Sequence, residues 1–457
     1  MTASPLVAGS DLERPIAWRG GKPISAARFV GEAERLAERL PGRGDPVNLC
    51  RDRYAFALGF AAALMRGQTS LLPPNALPET LRSLRASHAQ PYALLDDAGI
   101  DAGGLHTVQV TLAPTSALPQ REREPLRRVP SIAGDLVASC MLTSGSTGAP
   151  QPHARRWADW VVNIGAEAER LASLLGVPSL AGFGLVATVP PQHSYGFESS
   201  VLLALLGGAA LENGRPFYPA DIAAALDALP RPRALVTTPF HLNALLQSAL
   251  ELPRCDLVLC ATAPLSPQLA AHAERALGAP LIEIYGCTEA GQVATRRTTD
   301  GDVWHALGAL HLSRRGAGAA ERFYVEGGHV PEPTALADVL QLEDAQRFRL
   351  LGRANDLIHV AGKRSSLAHL NYHLSRIEGV RDAAFWLPDD VTDGVVRPIA
   401  LVVAPGLKRA QIIAALRTSL DAAFVPRRVV FVDALPRDAT GKLGAEVLRR
   451  FALERLS

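Results

Sequence analysis

The chain has 457 residues, room for several domains at about 100–200 residues each. Hydrophobic residues make up 48% and charged residues 20%, which excludes wholesale disorder. A net charge of +2 gives no bulk electrostatic case for binding nucleic acid. The five cysteines (Cys50, Cys140, Cys255, Cys260 and Cys287) are odd in number and widely spaced. They lack zinc-site spacing and read as reduced thiols of a cytoplasmic protein. Met1–Pro15 carries Asp11 and Glu13 and no apolar run, so no signal peptide is expected. The longest apolar stretch, Val201–Leu211, is interrupted by Gly207 and Gly208 and is too short to span a bilayer, so no membrane insertion is expected.

In chain order, Gly31–Leu40 and Tyr54–Met65 read as helices, and His106–Pro130 as a polar, proline-bearing connector with a solvated charge run at Arg121–Arg128. Strand Gly182–Val189 is followed by an amphipathic helix at Pro219–Leu229, with Ile222, Ala225 and Leu229 on one face. Strand Ala234–Thr238, helix His241–Leu250, strand Leu257–Cys260, helix Pro267–Leu277 and strand Pro280–Ile284 follow. Strand–helix alternation at this pitch predicts an α/β fold with parallel strands and helical crossovers. After Arg353 the texture changes. Helix Ser366–Ile377, strands Val380–Trp386 and Arg397–Val403, helix Ala410–Leu420 and strand Arg428–Val432 predict a compact α+β unit. Residues 357–457 hold 15 Lys and Arg against 10 Asp and Glu, so this part is +5 and the remainder −3. Such a basic unit suits an acidic partner, or is an ordinary solvated surface.

Four motifs carry chemistry. The first runs Leu142-Thr-Ser-Gly-Ser-Thr-Gly-Ala-Pro150 at the end of an apolar stretch. Its glycines expose backbone N–H groups and its hydroxyls add donors, which suits a polyphosphate. The Gly-Lys-Ser/Thr ending of the common P-loop is missing. The second is Ile284-Tyr-Gly-Cys-Thr-Glu289, directly after a predicted strand, where open α/β sheets bind ligands. Tyr285 could stack on a base there and Thr288 bond a phosphate. Glu289 could hold Mg²⁺ or be a plain helix N-terminal acid. The third is Leu351-Gly-Arg-Ala-Asn-Asp-Leu-Ile358 with Gly362-Lys-Arg364, and the fourth Leu435-Pro-Arg-Asp-Ala-Thr-Gly-Lys442.

These four motifs, in this order, resemble the adenylate-forming superfamily of acyl- and aryl-CoA synthetases, peptide-synthetase adenylation domains and luciferase. The resemblance covers Leu142 to the end, and the residues before it by position. It implies a large N-terminal domain of sheets flanked by helices (residues 1–352), a hinge (353–356) and a small mobile α+β lid (357–457). The implied enzyme is an AMP-forming acid–thiol ligase. It converts a small carboxylic acid and ATP to acyl-AMP and pyrophosphate, then passes the acyl group to a pantetheine thiol of a carrier protein or of coenzyme A. By the same resemblance Thr143, Ser144, Gly145, Ser146, Thr147 and Gly148 hold the ATP phosphates. Ala261, Thr262 and Ala263 lie beside adenine in a loop that is usually richer in glycine. Tyr285 and Gly286 contact the nucleotide, Thr288 the α-phosphate, Asp338 the ribose hydroxyls, Arg353 the ribose or phosphate, and Glu289 Mg²⁺. His193, Tyr195, Gly196 and Gly286 line the acid pocket, with His193 beside the reacting acid. Asn355 is the hinge and Gly362 lies on the pantetheine tunnel. Lys442 bridges the carboxylate and the α-phosphate, where a desolvated ammonium stabilises the charge that builds up.

The chain departs from the family pattern in three places. Gln151-Pro152 replaces the usual Lys-Gly after the loop, so a fixed positive charge is missing unless His153, Arg155 or Arg156 substitutes. Asp338 stands in Leu-Ala-Asp rather than Thr-Gly-Asp. The stretch from Glu289 to Asp338 is short, with Phe323–Gly328 as the remnant of a strand pair. Gln-Pro-His after the loop, Val189-Pro-Pro-Gln-His-Ser-Tyr-Gly196 and Gly362-Lys-Arg-Ser-Ser-Leu367 also resemble the acyl-carrier-protein ligases of aryl polyene and related pigment pathways. An acid–CoA ligase and a non-catalytic relative that binds nucleotide or acyl-adenylate remain as alternatives.

Overall fold

The computed structural model describes residues 2–111, 129–144, 150–316, 321–353, 357–360, 363–388, 398–437 and 443–456. The fold is mixed α/β, with a large sheet-bearing part and a small C-terminal α+β part.

An eleven-stranded sheet runs in the order Asp338–Leu342, Arg347–Arg353, Val303–Ala306, Gly291–Arg297, Leu281–Cys287, Leu257–Cys260, Arg233–Thr237, Gly184–Ala187, Ala210–Glu212, Pro15–Arg19 and Lys22–Ser25. The strands from Leu281–Cys287 through Pro15–Arg19 pair in parallel, and those beyond either end are antiparallel. Each central strand is apolar on both faces. Leu185, Ala187, Ala234, Val236, Leu257, Leu259, Ile282 and Ile284 enter one core. Val186, Leu235, Val258, Cys260 and Leu281 enter another. Covered on both faces, a parallel strand reads as a continuous apolar run.

A second, six-stranded sheet is ordered Pro150–Arg156, Val137–Ser144, Ser70–Leu72, Pro46–Asn48, Tyr92–Leu95 and His106–Gln109. Helices Ala26–Arg39, Arg53–Met65 and Trp157–Leu175 share the first core with residues of both sheets. Helix Arg53–Met65 is buried nearly all round, which explains its lack of a polar stripe. Phe197 is fully buried, with the rings of Phe56, Phe60 and Trp160 edge-on to it at 6.2, 4.9 and 5.7 Å.

Several elements differ from the sequence expectation, each for a local reason. The first helix starts at Ala26, not Gly31, because the Ser25 hydroxyl accepts the Arg28 N–H and caps it. The helix expected from His241 starts at Pro239, capped by Thr238, and ends at Gln247. Within the expected connector, His106–Gln109 is an edge strand parallel to Tyr92–Leu95, and residues 112–128 lie outside the described part. The stretch from Glu289 to Asp338 is richer in strands than expected. Phe323–Gly328 falls on strand Arg322–Gly327, the middle of a three-stranded antiparallel sheet with His311–Arg315 and Val330–Leu336.

In the C-terminal part, hairpin Leu357–Val360/Lys363–Ser366 leads into helix Leu367–Ser375. Strands Asp382–Trp386, Ile399–Val403 and Val429–Phe431 form a sheet with helices Arg409–Arg417 and Ala445–Leu456. Ala383, Phe385, Ala400 and Val402 face one small core, and Ala384, Trp386, Leu401 and Val403 the other. Among the described residues no helix is long and apolar enough to cross a membrane.

Candidate active site at the carboxyl edge of the parallel strands

Strands Gly184–Ala187, Arg233–Thr237, Leu257–Cys260 and Leu281–Cys287 run parallel, so the segments after them emerge at one edge. These segments include Val189–Gly196, Ala261–Ala263 and Thr288–Glu289. All three hold residues singled out by the sequence.

The best-defined part lies on the Leu281–Cys287 strand. The Tyr285 hydroxyl donates to Asp338 Oδ2 at 2.7 Å. The ring is nearly buried, with Trp304 and Phe348 each 5.7 Å away. Asp338 pairs in register with Arg353 across the neighbouring strands. Tyr285, Asp338 and Arg353, separated by up to 68 positions in the chain, are thus brought to one place. Gly286 faces Gln292 across the next hairpin, and a side chain there would run into the carbonyl oxygen of Gly291. Glu289 is exposed in the turn, and its backbone carbonyl accepts Arg155 Nη2 at 2.8 Å. Glu289 borders a cavity of about 300 Å³ with Arg155, Asp159, His329 and Thr334.

Ala261 is buried at the end of its strand, and Thr262 after it is exposed at φ +82°. That left-handed conformation suits glycine, and a β-branched residue is strained in it. Such strain concentrates where a loop is shaped for a ligand.

His193 caps the short helix that carries Ser194, Tyr195 and Gly196, and its carbonyl accepts Phe197 N at 2.7 Å. At Gly196 a Cβ would collide with the carbonyl of Pro190, so the bend requires glycine. Tyr195 packs against the main core with its hydroxyl buried. Arg53 supports this loop, and nothing in its local sequence marked it out. Its guanidinium is fully buried and donates to Val189 O at 2.8 Å, Ala187 O at 2.9 Å and Ser200 Oγ at 2.6 Å. Burial pulls its pKa down to about 10, still charged at neutral pH.

Thr143 and Ser144 end the strand that pairs antiparallel with Pro150–Arg156, in register with Gln151 and Pro150. Gly145, Ser146, Thr147 and Gly148, and likewise Asn355, Gly362 and Lys442, lie outside the described residues. Of the cations after Gln151, two are engaged away from this loop. Arg155 is nearly buried and holds the carbonyls of Glu289 and His329. Arg156 is paired with Asp159 at 3.0 Å.

Behind these segments lies a buried polar network. Ser199 Oγ donates to Glu167 Oε1 and accepts Gln292 Nε2, both at 2.9 Å. Glu198 accepts Asn163 Nδ2 at 3.1 Å and Gln292 N at 3.0 Å, and the Ser194 hydroxyl as well. Burial pushes Glu167 up to about 8, against the lowering effect of Ser199 and Gln292. Burial also raises Cys287 to about 12 and Cys260 well above its ordinary value. Both thiols are therefore protonated at neutral pH and neither acts as a thiolate nucleophile.

Residues 10–311 match the family described as AMP-binding enzyme, and residues 373–442 its C-terminal domain. A 4-coumarate–CoA ligase of Rhodobacter capsulatus is 30% identical over 301 residues, covering 66% of this chain and 73% of that protein. One from Halorhodospira halophila is 30% identical over 249 residues, covering 53% and 57%. Among solved structures, O-succinylbenzoate coenzyme A synthetase (MenE) from Bacillus subtilis, in complex with ATP and magnesium ion, superposes with a TM-score of 0.77 at 18% identity, covering 98% of this chain and 100% of that one. The chain belongs to the AMP-binding enzyme family, within the adenylate-forming superfamily. It is an AMP-forming ligase.

Two predictions follow from this geometry. Thr262→Gly relieves a left-handed strain of about 1–2 kcal/mol against about 0.5–1 kcal/mol of added freedom in the unfolded chain, a net gain on the order of 0.5–1 kcal/mol, read as an increase in the denaturation midpoint at unchanged slope. Glu167 keeps its proton up to about pH 8 in the folded chain and loses it near its ordinary 4.5 when unfolded. Its contribution is full below the lower value and is lost as pH rises to the upper one. Glu167→Gln keeps the neutral shape and removes this titration, so wild type should lose stability relative to the variant by a few kcal/mol, on the order of 1.4 per pKa unit, between pH 5 and 8. Parallel stability–pH curves for the two proteins would count against the assignment.

Proposed function

We propose that this ligase activates a small carboxylic acid, aryl or medium-chain, and transfers it to a pantetheine thiol. In the first half-reaction the carboxylate attacks the α-phosphorus of ATP, giving acyl-AMP and pyrophosphate. In the second, the thiol attacks the acyl carbon, giving a thioester and AMP. The observation that carries this reading is the meeting of Tyr285, Asp338 and Arg353 at a strand whose neighbours send the Ala261–Ala263 and Val189–Gly196 segments out at the same edge of the sheet.

In this reading Asp338 takes the ribose hydroxyls and Arg353 the ribose or phosphate, and Tyr285 orients Asp338 and borders the base. Thr288 and the Thr143–Gly148 loop take the phosphates. His193, Tyr195, Gly196 and Gly286 border the acid. Glu289 suits Mg²⁺, since it is an exposed hard-oxygen ligand on a turn pinned by Arg155. One such carboxylate fits an ion that takes its other ligands from phosphate and water. When bound, the ion would neutralise phosphate charge. The domain limits 1–352, 353–356 and 357–457, the hinge at Asn355, the Gly362 tunnel and the role of Lys442 rest on the family resemblance. A lid that turns about Asn355 would let one acid pocket serve both half-reactions.

For the acceptor we favour an acyl carrier protein, on the +5 charge of residues 357–457 and the likeness to pigment-pathway ligases. Coenzyme A is the second reading, favoured by relatives named as CoA ligases. Thioester formation with each acceptor, after a pyrophosphate-exchange screen over aryl and alkyl acids, decides between them. No exchange with any acid would point instead to a nucleotide-binding relative without catalysis.

Lys442→Ala should lower acyl-AMP formation about 10²–10³-fold and spare transfer from supplied acyl-adenylate. Equal loss of both steps would contradict its role. Glu289→Ala should shift the Mg²⁺ titration of pyrophosphate exchange to higher metal concentration, whereas an unchanged titration removes it as a ligand.

A further inference from the structure

Glu198 is 1% exposed, and its carboxylate collects three donors, one from the start of its own helical run and two from other elements. The Ser194 hydroxyl, four residues earlier, comes from the short helix that follows His193 and carries Tyr195. Asn163 Nδ2, at 3.1 Å, comes from helix Trp157–Leu175. The backbone N–H of Gln292, at 3.0 Å, comes from the strand that returns from the Thr288–Glu289 turn. Gly291 allows this approach. It sits at φ +72°, and a Cβ there would meet Asn163 Nδ2 at 2.8 Å and Glu198 Oε2 at 3.4 Å. Gln292 is the register partner of Gly286. One carboxylate therefore joins the two segments read above as the acid side and the adenylate side of the site.

Burying a carboxyl is costly unless its oxygens are bonded, and apolar packing would hold these elements with less penalty. Apolar contacts are non-directional, however. Three hydrogen bonds on one group set distance and angle between the loop and the turn. We propose that Glu198 is a positioning residue for acid adenylation. It holds the Val189–Gly196 loop at a fixed spacing from the Cys287–Gly291 turn, so that carboxylate and α-phosphate meet in line. This proposal rests on the assignment of those two segments to acid and adenylate.

The test compares wild type with Glu198→Ala, Glu198→Gln and the milder Ser194→Ala, all checked for folding by circular dichroism and melting. A glutamine can meet the same three groups: its carbonyl accepts from Asn163 and Gln292, and its amide donates to the Ser194 oxygen. Glu198→Gln should stay within about threefold of wild type, the effect of a hydrogen bond altered but kept. Glu198→Ala should lower kcat/KM for the acid about 100-fold, the cost of a displacement near 1 Å. It should lower kcat and raise the KM of both acid and ATP. Ser194→Ala, which frees the loop alone, should raise KM for the acid and leave KM for ATP unchanged. Hydrogen exchange supplies a readout independent of catalysis: residues 190–196 and 287–292 should lose protection together in Glu198→Ala and keep it in Glu198→Gln.

Glu198→Gln as damaged as Glu198→Ala would overturn the proposal, since charge rather than geometry would then matter. A folded Glu198→Ala with wild-type kinetics, or with protection lost in one segment only, overturns it too. Wild type inactive in pyrophosphate exchange with every acid would instead overturn the ligase assignment, and the exchange protection would still judge the tie.

Discussion

Strand Leu281–Cys287 changes the character of the sheet it belongs to. On one side it pairs in parallel with Leu257–Cys260, and on the other it turns back antiparallel into Gly291–Arg297. Parallel neighbours send their following loops to a common edge. The antiparallel partner forces a tight turn at that same edge, which puts Thr288 and Glu289 next to the loops that follow the parallel strands. Ligand sites in open α/β sheets gather outside the carboxyl ends of the strands. The strand is held by burial on both faces and by Glu283, whose carboxylate is bound to Arg296 on the returning strand and to Thr298 just after it.

The site combines rigid and strained pieces. Tyr285 is fixed by two aromatic neighbours and by Asp338, while Thr262 sits in a backbone region that favours glycine. Its strain is borne by a loop whose base, Ala261, is anchored in the core. Polar atoms buried beneath the site are mostly in each other's reach: Glu167 with Ser199, Ser199 with Gln292, and Glu198 with Asn163 and Gln292. Each of these hydrogen bonds is directional and fixes geometry in a way that apolar packing does not.

The basic residues after the Gly/Ser loop show how sequence proximity can mislead. Arg155 and Arg156 stand close to the loop in the chain, yet one is spent on backbone carbonyls of Glu289 and His329 and the other on Asp159. Arg155 supports the candidate metal-binding turn instead. Arg53 plays a comparable part from the other end of the chain, holding the carbonyl from which the His193 loop departs.

Wherever the signal is local, the amino-acid sequence alone determined the result. Central strands were legible as short apolar runs because both their faces are covered, and helices 219–229 and 267–277 as apolar periods beginning at proline. The four motifs were legible because backbone-exposing glycines, hydroxyls and acids sit within a few residues of each other. The helix starts at Ala26 and Pro239, capped by Ser25 and Thr238, were missed by a few residues because a cap is one side chain beside a weak period. Only the tertiary structure could decide which distant residues meet around the candidate site. Arg53 contacts residues more than 130 positions away, and Glu198 meets the Gln292 amide 94 positions on. A buried charge is read from sequence as an ordinary surface residue. Its partners become evident only when the folded chain removes water and leaves hydrogen bonds between elements as the way to satisfy it.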